Sequence, residues 1–268
     1  MFKKSGITFT VILCFVSLFS SQVNGMIIKY IGTKKTTLYL DGKIKQGDFA
    51  AILKTLKKKD FPREININSK GGNVYEAIKI GIYFRSMFAR IISSRQCYSA
   101  CFIIWSGGYD RSASLIGLHR PTFESKYFSS LSAKQASESY KEVEIKIRNY
   151  LSKMDISTEV ADLMFSVDSI NMHLIDAVDL NKYITRYPYA LNEWFIAKCG
   201  SLSAKEESDR VSILVEKRFK KLELTPDTNI TSSTSAGYQD YVKNKAIKVY
   251  ECRQTIIKSE RIKLQKKS

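Results

Sequence analysis

The chain has 268 residues, 44% of them hydrophobic and 26% charged, with 43 Lys and Arg against 26 Asp and Glu for a formal charge of +17. That apolar share supports a sizeable core and excludes a disordered chain, a collagen-like rod or a small disulfide scaffold, and no repeat of roughly 20–50 residues points to a solenoid or propeller. The basic residues are spread among acids without a nucleic-acid-binding motif, so they read as a solvated surface and no nucleic-acid partner is expected.

Lys3 and Lys4 precede an uncharged run of 13 residues from Ile7 to Phe19, followed by Ser20-Ser21-Gln22-Val23-Asn24-Gly25. A spanning helix needs about 20 apolar residues, and this three-part build is that of a secretory signal peptide, residues 1–25, cleaved near Gly25. The mature protein is then secreted or periplasmic, with no stable membrane span after cleavage. Of the five cysteines, Cys14 lies in the leader, leaving Cys97, Cys101, Cys199 and Cys252. An even number in an oxidising compartment favours pairing. Three connectivities are open; the near pair Cys97–Cys101 and the far pair Cys199–Cys252 are the expected ones.

Next come Ile27–Ile31 and Thr37–Leu40, short alternating runs bounded by Gly32 and Asp41-Gly42, which predict two strands joined by turns. Asp48 is expected to cap an amphipathic helix that starts at Phe49 and ends in the basic run from Lys54 to Lys59. Arg63–Ser69 reads as a strand, and Val74, Ala77, Ile78, Gly81, Ile82 and Met87 have helical spacing. Ala89–Ser93 is strand-like, Ser99–Trp105 a short apolar helix, and Ser114–Leu118 a strand running into His119-Arg120-Pro121. A long helix is predicted over 132–154, with Val143, Ile147, Tyr150 and Leu151 on one face, and shorter ones over 158–165 and 176–182. A strand is expected at Tyr183–Thr185.

Strands alternating with helices predict an α/β domain with a parallel sheet and right-handed crossovers over residues 26–188. Beyond Tyr187-Pro188 the character changes, and residues 189–268 are expected to form a basic, mainly helical C-terminal extension with a mobile polar loop around 226–237.

Three segments carry candidate chemistry: Ile67-Asn68-Ser69-Lys70-Gly71-Gly72-Asn73-Val74, Cys97-Tyr98-Ser99-Ala100-Cys101 and Gly117-Leu118-His119-Arg120-Pro121. On these segments the chain resembles the proteolytic subunit of the Clp protease (ClpP) and, more closely, the secreted Clp-like proteins of the crotonase superfamily. In that family a strand ends in a Ser-Pro-Gly-Gly turn, the nucleophilic serine opens a helix between small residues, and the base lies in a His-Gln-Pro or His-Arg-Pro segment. The resemblance covers roughly Thr37 to Thr185. It implies a ClpP/crotonase-like fold of repeated ββα units, a peptide or protein substrate and a possible homo-oligomer. It also implies a third catalytic member, which falls on Asn171, where the family has aspartate; Asp168 or Asp176 could stand in for it. Lys70 replaces the family's proline.

The chemistry of these residues also stands on its own. A serine hydroxyl needs a base to become a nucleophile, and a helix start offers backbone N–H groups to a developing oxyanion. Ser99 fits the nucleophile, His119 the general base, and the amides of Gly71, Gly72 and Ala100 an oxyanion hole. No lysine is placed by motif beside Ser99, which disfavours a Ser-Lys dyad. The only two histidines, His119 and His173, are 54 residues apart without ligand spacing, so neither metal nor cofactor is expected. The leading reading is a secreted, ATP-independent serine hydrolase acting on peptides through a Ser-His dyad or degenerate triad. The competing one is a catalytically weak Clp-like scaffold that binds peptides or cell-envelope partners.

Overall fold

The structure is a computed structural model that describes residues 25–32, 36–57, 61–221 and 235–265. The signal peptide expected at 1–25, up to residue 24, and most of the polar loop expected at 226–237 lie outside them. Branched and aromatic residues in alternation give the first strands, β1 (Ile27–Ile31) and β2 (Thr37–Asp41), which pair antiparallel. Leu38 and Leu40 of β2 point into the core and are fully buried. Beside β2 run β3 (Glu64–Asn68), β4 (Arg90–Ser93) and β6 (Asp110–Ala113), all parallel, giving a five-stranded sheet in the order β1-β2-β3-β4-β6. The parallel part, with α1 (Asp48–Leu56) and α2 (Val74–Ser86) as crossovers, follows the expected alternation.

A second sheet departs from it. β5 (Cys97–Tyr98) pairs parallel with β7 (Leu115–Leu118), which pairs antiparallel with β8 (His173–Asp176). The fold is thus mixed α/β, with antiparallel pairs at one end of each sheet. Between β5 and β6 lies α3 (Ala100–Ser106), every residue of which is buried. It touches β3 and β4 of the larger sheet and β5 and β7 of the smaller one.

The expected cap of α1 is corrected. Asp48 is its first helical residue, and the N-terminal amides of Gly47 and Phe49 donate instead to Oε1 of Glu76 in α2, at 3.0 and 2.9 Å. A remote carboxylate satisfies donors that a helix start leaves unpaired. Asp48 is buried as well, which pushes its carboxyl above the ordinary range despite the backbone N–H groups that it accepts.

After β7 come α4 (Ser125–Ser129), α5 (Ala133–Lys153) and α6 (Thr158–Ser166). Ser132 and Gln135 form a capping box on α5, and its buried residues are Val143, Ile147, Tyr150 and Leu151. The strand expected at Tyr183–Thr185 does not form. Tyr183 ends α7 (Ala177–Tyr183), the Ile184 N–H closes that helix on Leu180, and the Thr185 carbonyl is taken by the guanidinium of Arg111. The chain beyond forms α8 (Tyr189–Cys199), α9 (Ala204–Lys221) and α10 (Ala236–Gln265).

Arg111, only 2% exposed, joins these parts. Its guanidinium donates to the carbonyls of Ser106 and Met154 at 2.8 Å each and of Thr185 at 3.0 Å, tying the ends of α3 and α5 to the exit of α7. Terminal helix carbonyls carry the negative end of the dipole and stabilise the cation. Cys97–Cys101 and Cys199–Cys252 are both bonded, with Cα separations of 5.1 and 5.7 Å. Two disulfides fit an oxidising compartment. Among the described residues no helix is long and apolar enough to cross a membrane.

Candidate active site

β5, Ser99 and α3 form a strand-turn-helix in which a serine sits at the corner. Ser99 has φ 56° and ψ −124°, a conformation that a residue with a side chain adopts only at a cost of about 1–3 kcal/mol. Its hydroxyl does not cap α3. The Ser99 N–H donates to the Gly117 carbonyl at 2.8 Å, and its own carbonyl accepts from Phe102 at 2.9 Å, so the backbone is held from both sides. Ser99 lines the cleft, and no hydrogen bond of its hydroxyl is seen among the described residues.

The glycine turn packs against this corner. Gly71 has φ 102°, and a Cβ there would lie 2.8 Å from the Ser99 Cβ and 2.9 Å from the Tyr98 carbonyl oxygen. Only glycine admits this approach. The turn is tied by the Gly71 N–H donating to Ser69 Oγ at 3.0 Å and by the Ile44 N–H donating to the Gly71 carbonyl at 2.9 Å. The Gly71 amide is therefore spent within the turn. Among the described residues its neighbour Gly72 has no backbone acceptor for its N–H, and Ala100, as the first residue of α3, has no intrahelical one. Of the three expected oxyanion donors, Gly72 and Ala100 keep theirs available, and Gly71 supplies the close approach.

His119 follows β7 by one residue. Ser99 directly follows the Tyr98–Gly117 pair that ends the β5–β7 register, and His119 leaves β7 at that same end of the small sheet. The two side chains line one cleft of about 1240 Å³ with Gly71, Gly72 and Lys70. They do not hydrogen-bond to each other; the His119 Nδ1 contacts the Arg120 carbonyl oxygen at 2.8 Å. A carbonyl only accepts, so Nδ1 carries the proton, and Nε2 of the neutral ring is the basic nitrogen.

Asn171 is not brought to the ring. It is exposed, its backbone N–H donates to the Asp168 carbonyl, and its side chain makes no hydrogen bond among the described residues. The two carboxylates that could stand in for it are committed elsewhere. Asp168 forms an ion pair with Arg120, and Asp176 accepts from the N–H groups of Val178 and Asp179 as the cap of α7. Orientation of His119 thus falls to a backbone carbonyl, which carries no residue-type signal in sequence.

Two further residues of the cleft, both within the Ile67–Val74 segment, carry roles that the motif reading left unassigned. Ser69 shapes the glycine turn as described, and a serine two residues before a glycine was a readable sign of it. Asn68, 6% exposed, donates to Asp41 and leaves its own Oδ1 buried without a partner. Among the described residues no group of three His, Cys, Asp or Glu is placed to hold a metal ion.

No protein-family model matches the chain, and no curated protein matches it. Among solved structures it is similar to a point mutant of ClpP1 from Listeria monocytogenes, with 18% sequence identity and a TM-score of 0.42, over 55% of this chain and 86% of that one.

Proposed function

We propose that the protein is a serine hydrolase that cleaves peptides without ATP outside the cytoplasm, with Ser99 as nucleophile and His119 as general base. The single observation that supports this reading is the strained corner at Ser99, on the cleft that His119 and the Gly72 amide also line. Strain of that kind persists where the surroundings enforce it, and it gathers at reacting groups.

In the proposed reaction His119 Nε2 takes the Ser99 proton as Oγ attacks a carbonyl carbon. The resulting oxyanion accepts from the N–H groups of Gly72 and Ala100, and the imidazolium then protonates the leaving amine. Water hydrolyses the acyl-enzyme by the same steps in reverse roles. The Nδ1–H bond to the Arg120 carbonyl keeps the ring in the tautomer that this sequence needs. A carbonyl dipole stabilises the imidazolium less than a carboxylate, so a modest rate is expected.

A fluorophosphonate probe tests the reading. The wild type should label at one serine, Ser99→Ala should not label, and His119→Ala should label at least about 100-fold more slowly, the usual share of a general base. Labelling of wild type no faster than Ser99→Ala would sink the hydrolase. The missing Ser99–His119 bond and the exposed Asn171 favour the second reading, a peptide-binding scaffold with the same cleft. It predicts peptide binding that survives Ser99→Ala and no turnover in either protein.

A further inference from the structure

A second cavity, of about 530 Å³, lies where α8, α9 and α10 meet the β4 and β6 side of the larger sheet, and it shares no residue with the Ser99 cleft. Four guanidinium groups line it, from Arg90, Arg186, Arg210 and Arg253, against two carboxylates, Asp110 and Glu207. Both carboxylates are already engaged. Asp110 accepts from Arg186 at 2.7 and 3.2 Å and lies 3.6 Å from Arg90, and Glu207 accepts from Arg210 at 2.9 Å.

Arg253 is left over. Among the described residues it makes no ion pair; its guanidinium lies 5.7 Å above the Tyr187 ring and 5.5 Å from that of Phe195, and its Nε is buried without an acceptor. Ring faces hold a guanidinium in place but accept no in-plane hydrogen bond, so the buried Nε–H stays without an acceptor. Arg90 also pairs with Glu64, outside the cavity, at 3.4 Å, so the surplus is the single positive charge of Arg253, and its buried idle Nε costs free energy that an anion would relieve. The remaining walls include Ile196, Leu202 and Val249, which suit an apolar body.

We propose that this cavity is a binding site for an organic anion, with a carboxylate or phosphate head held by Arg253 beside Arg186 and Arg210 and an apolar body against Val249 and Leu202. Because the walls come from the sheet as well as from α8–α10, the bound anion also strengthens the docking of the C-terminal helices. The site does not depend on the reading of Ser99.

The test is a calorimetric titration of the disulfide-bonded full chain with 8-anilinonaphthalene-1-sulfonate, which combines an anionic head with an aromatic body. The expected result is one saturable site per chain, unchanged by Ser99→Ala. Arg253→Gln should weaken it about tenfold or more, the share of a charged hydrogen bond. Val249→Trp, which fills the cavity and keeps every charge, should abolish it; this variant carries the test if Arg253→Gln lowers the melting temperature. Displacement by inorganic phosphate identifies a phosphate head, and displacement by benzoate a carboxylate head. The proposal is overturned if no saturable site is found, if neither competitor displaces the probe, or if a variant that melts like the wild type at each position binds as tightly as the wild type.

Discussion

Cys97 and Cys101, bonded to each other and fully buried, straddle Ser99 and hold the end of β5 against the first turn of α3. The ring closed by this bond contains the one residue of the cleft with a side chain at positive φ. Removing the bond should let Ser99 relax toward an ordinary conformation and shift its hydroxyl. We expect Cys97→Ala/Cys101→Ala to slow fluorophosphonate labelling by roughly 10- to 100-fold, as the release of about 1–3 kcal/mol of backbone strain implies. Labelling at the wild-type rate in a folded double variant would show that the disulfide does not position the serine.

Gly71→Ala tests the other side of the same corner. Its Cβ would meet Ser99 and Tyr98 at under 3 Å, in a conformation with φ 102° that alanine disfavours. Neither neighbour yields easily, because one is the Cβ of the strained serine and the other a backbone carbonyl oxygen. Labelling should disappear, and the protein should lose about 1–3 kcal/mol of stability in urea unfolding. A variant that labels normally would mean that the turn can retreat from Ser99.

Asn171→Ala, in contrast, should leave the labelling rate within about twofold of wild type, because the side chain is exposed and forms no hydrogen bond among the described residues. A loss near the 10²-fold level typical of acid–base catalysis would restore Asn171 as the group that orients His119. Rates measured beside His119→Ala give the scale.

These cases show which parts of the fold were readable. Val143, Ile147, Tyr150 and Leu151 were legible because helical periodicity is local and the core rewards it. The cap of α1 was not, since Glu76 lies 29 residues from the Gly47 that it serves and nothing near Asp48 announces it. β6 was missed because its polar run Asp110-Arg111-Ser112 does not look like a buried strand, although Arg111 is satisfied by the nearby carbonyl of Ser106 and the distant ones of Met154 and Thr185. The order of Ser99, His119 and the double glycine was visible. The positive φ of Ser99 and the choice of Arg120 carbonyl as the partner of His119 depend on packing that no single segment encodes.

Arg111→Met keeps much of the volume and removes every donor. The Thr185 carbonyl would lose its donor, and those of Ser106 and Met154 would keep only the Arg85 guanidinium, at 3.0 and 3.2 Å, each charged bond lost costing about 1.5–3 kcal/mol. A loss of about 3 kcal/mol or more is expected, a fall in melting temperature of roughly 10 °C for a chain of this size. Calorimetry on the oxidised protein measures it. A shift below about 2 °C would mean that water replaces the guanidinium at no cost and that Arg111 does not join the three segments.

The last prediction concerns pH and the C-terminal helices. Glu206 stands at the start of α9, where it accepts from the Ser203 N–H, and both of its carboxylate oxygens accept from Lys245 Nζ of α10 at 2.8 Å. The Lys245 ammonium, with help from the Ser203 amide, holds the Glu206 carboxyl down at about 2 against an ordinary 4.5. A depressed acid contributes stability that is complete above the ordinary value and is lost as pH falls from about 4.5 toward 2. Hydrogen exchange, corrected for intrinsic rates, should therefore show α9 and the adjoining part of α10 losing protection over that window. The core strands should hold to lower pH, with Cys199–Cys252 keeping the helices attached. Glu206→Gln should exchange faster at pH 6 and lose the acid-dependent step, because its amide neither titrates nor pairs with an ammonium. If wild type and Glu206→Gln lose protection in parallel from pH 5 to 2.5, the Glu206–Lys245 pair does not control how α9 and α10 hold together.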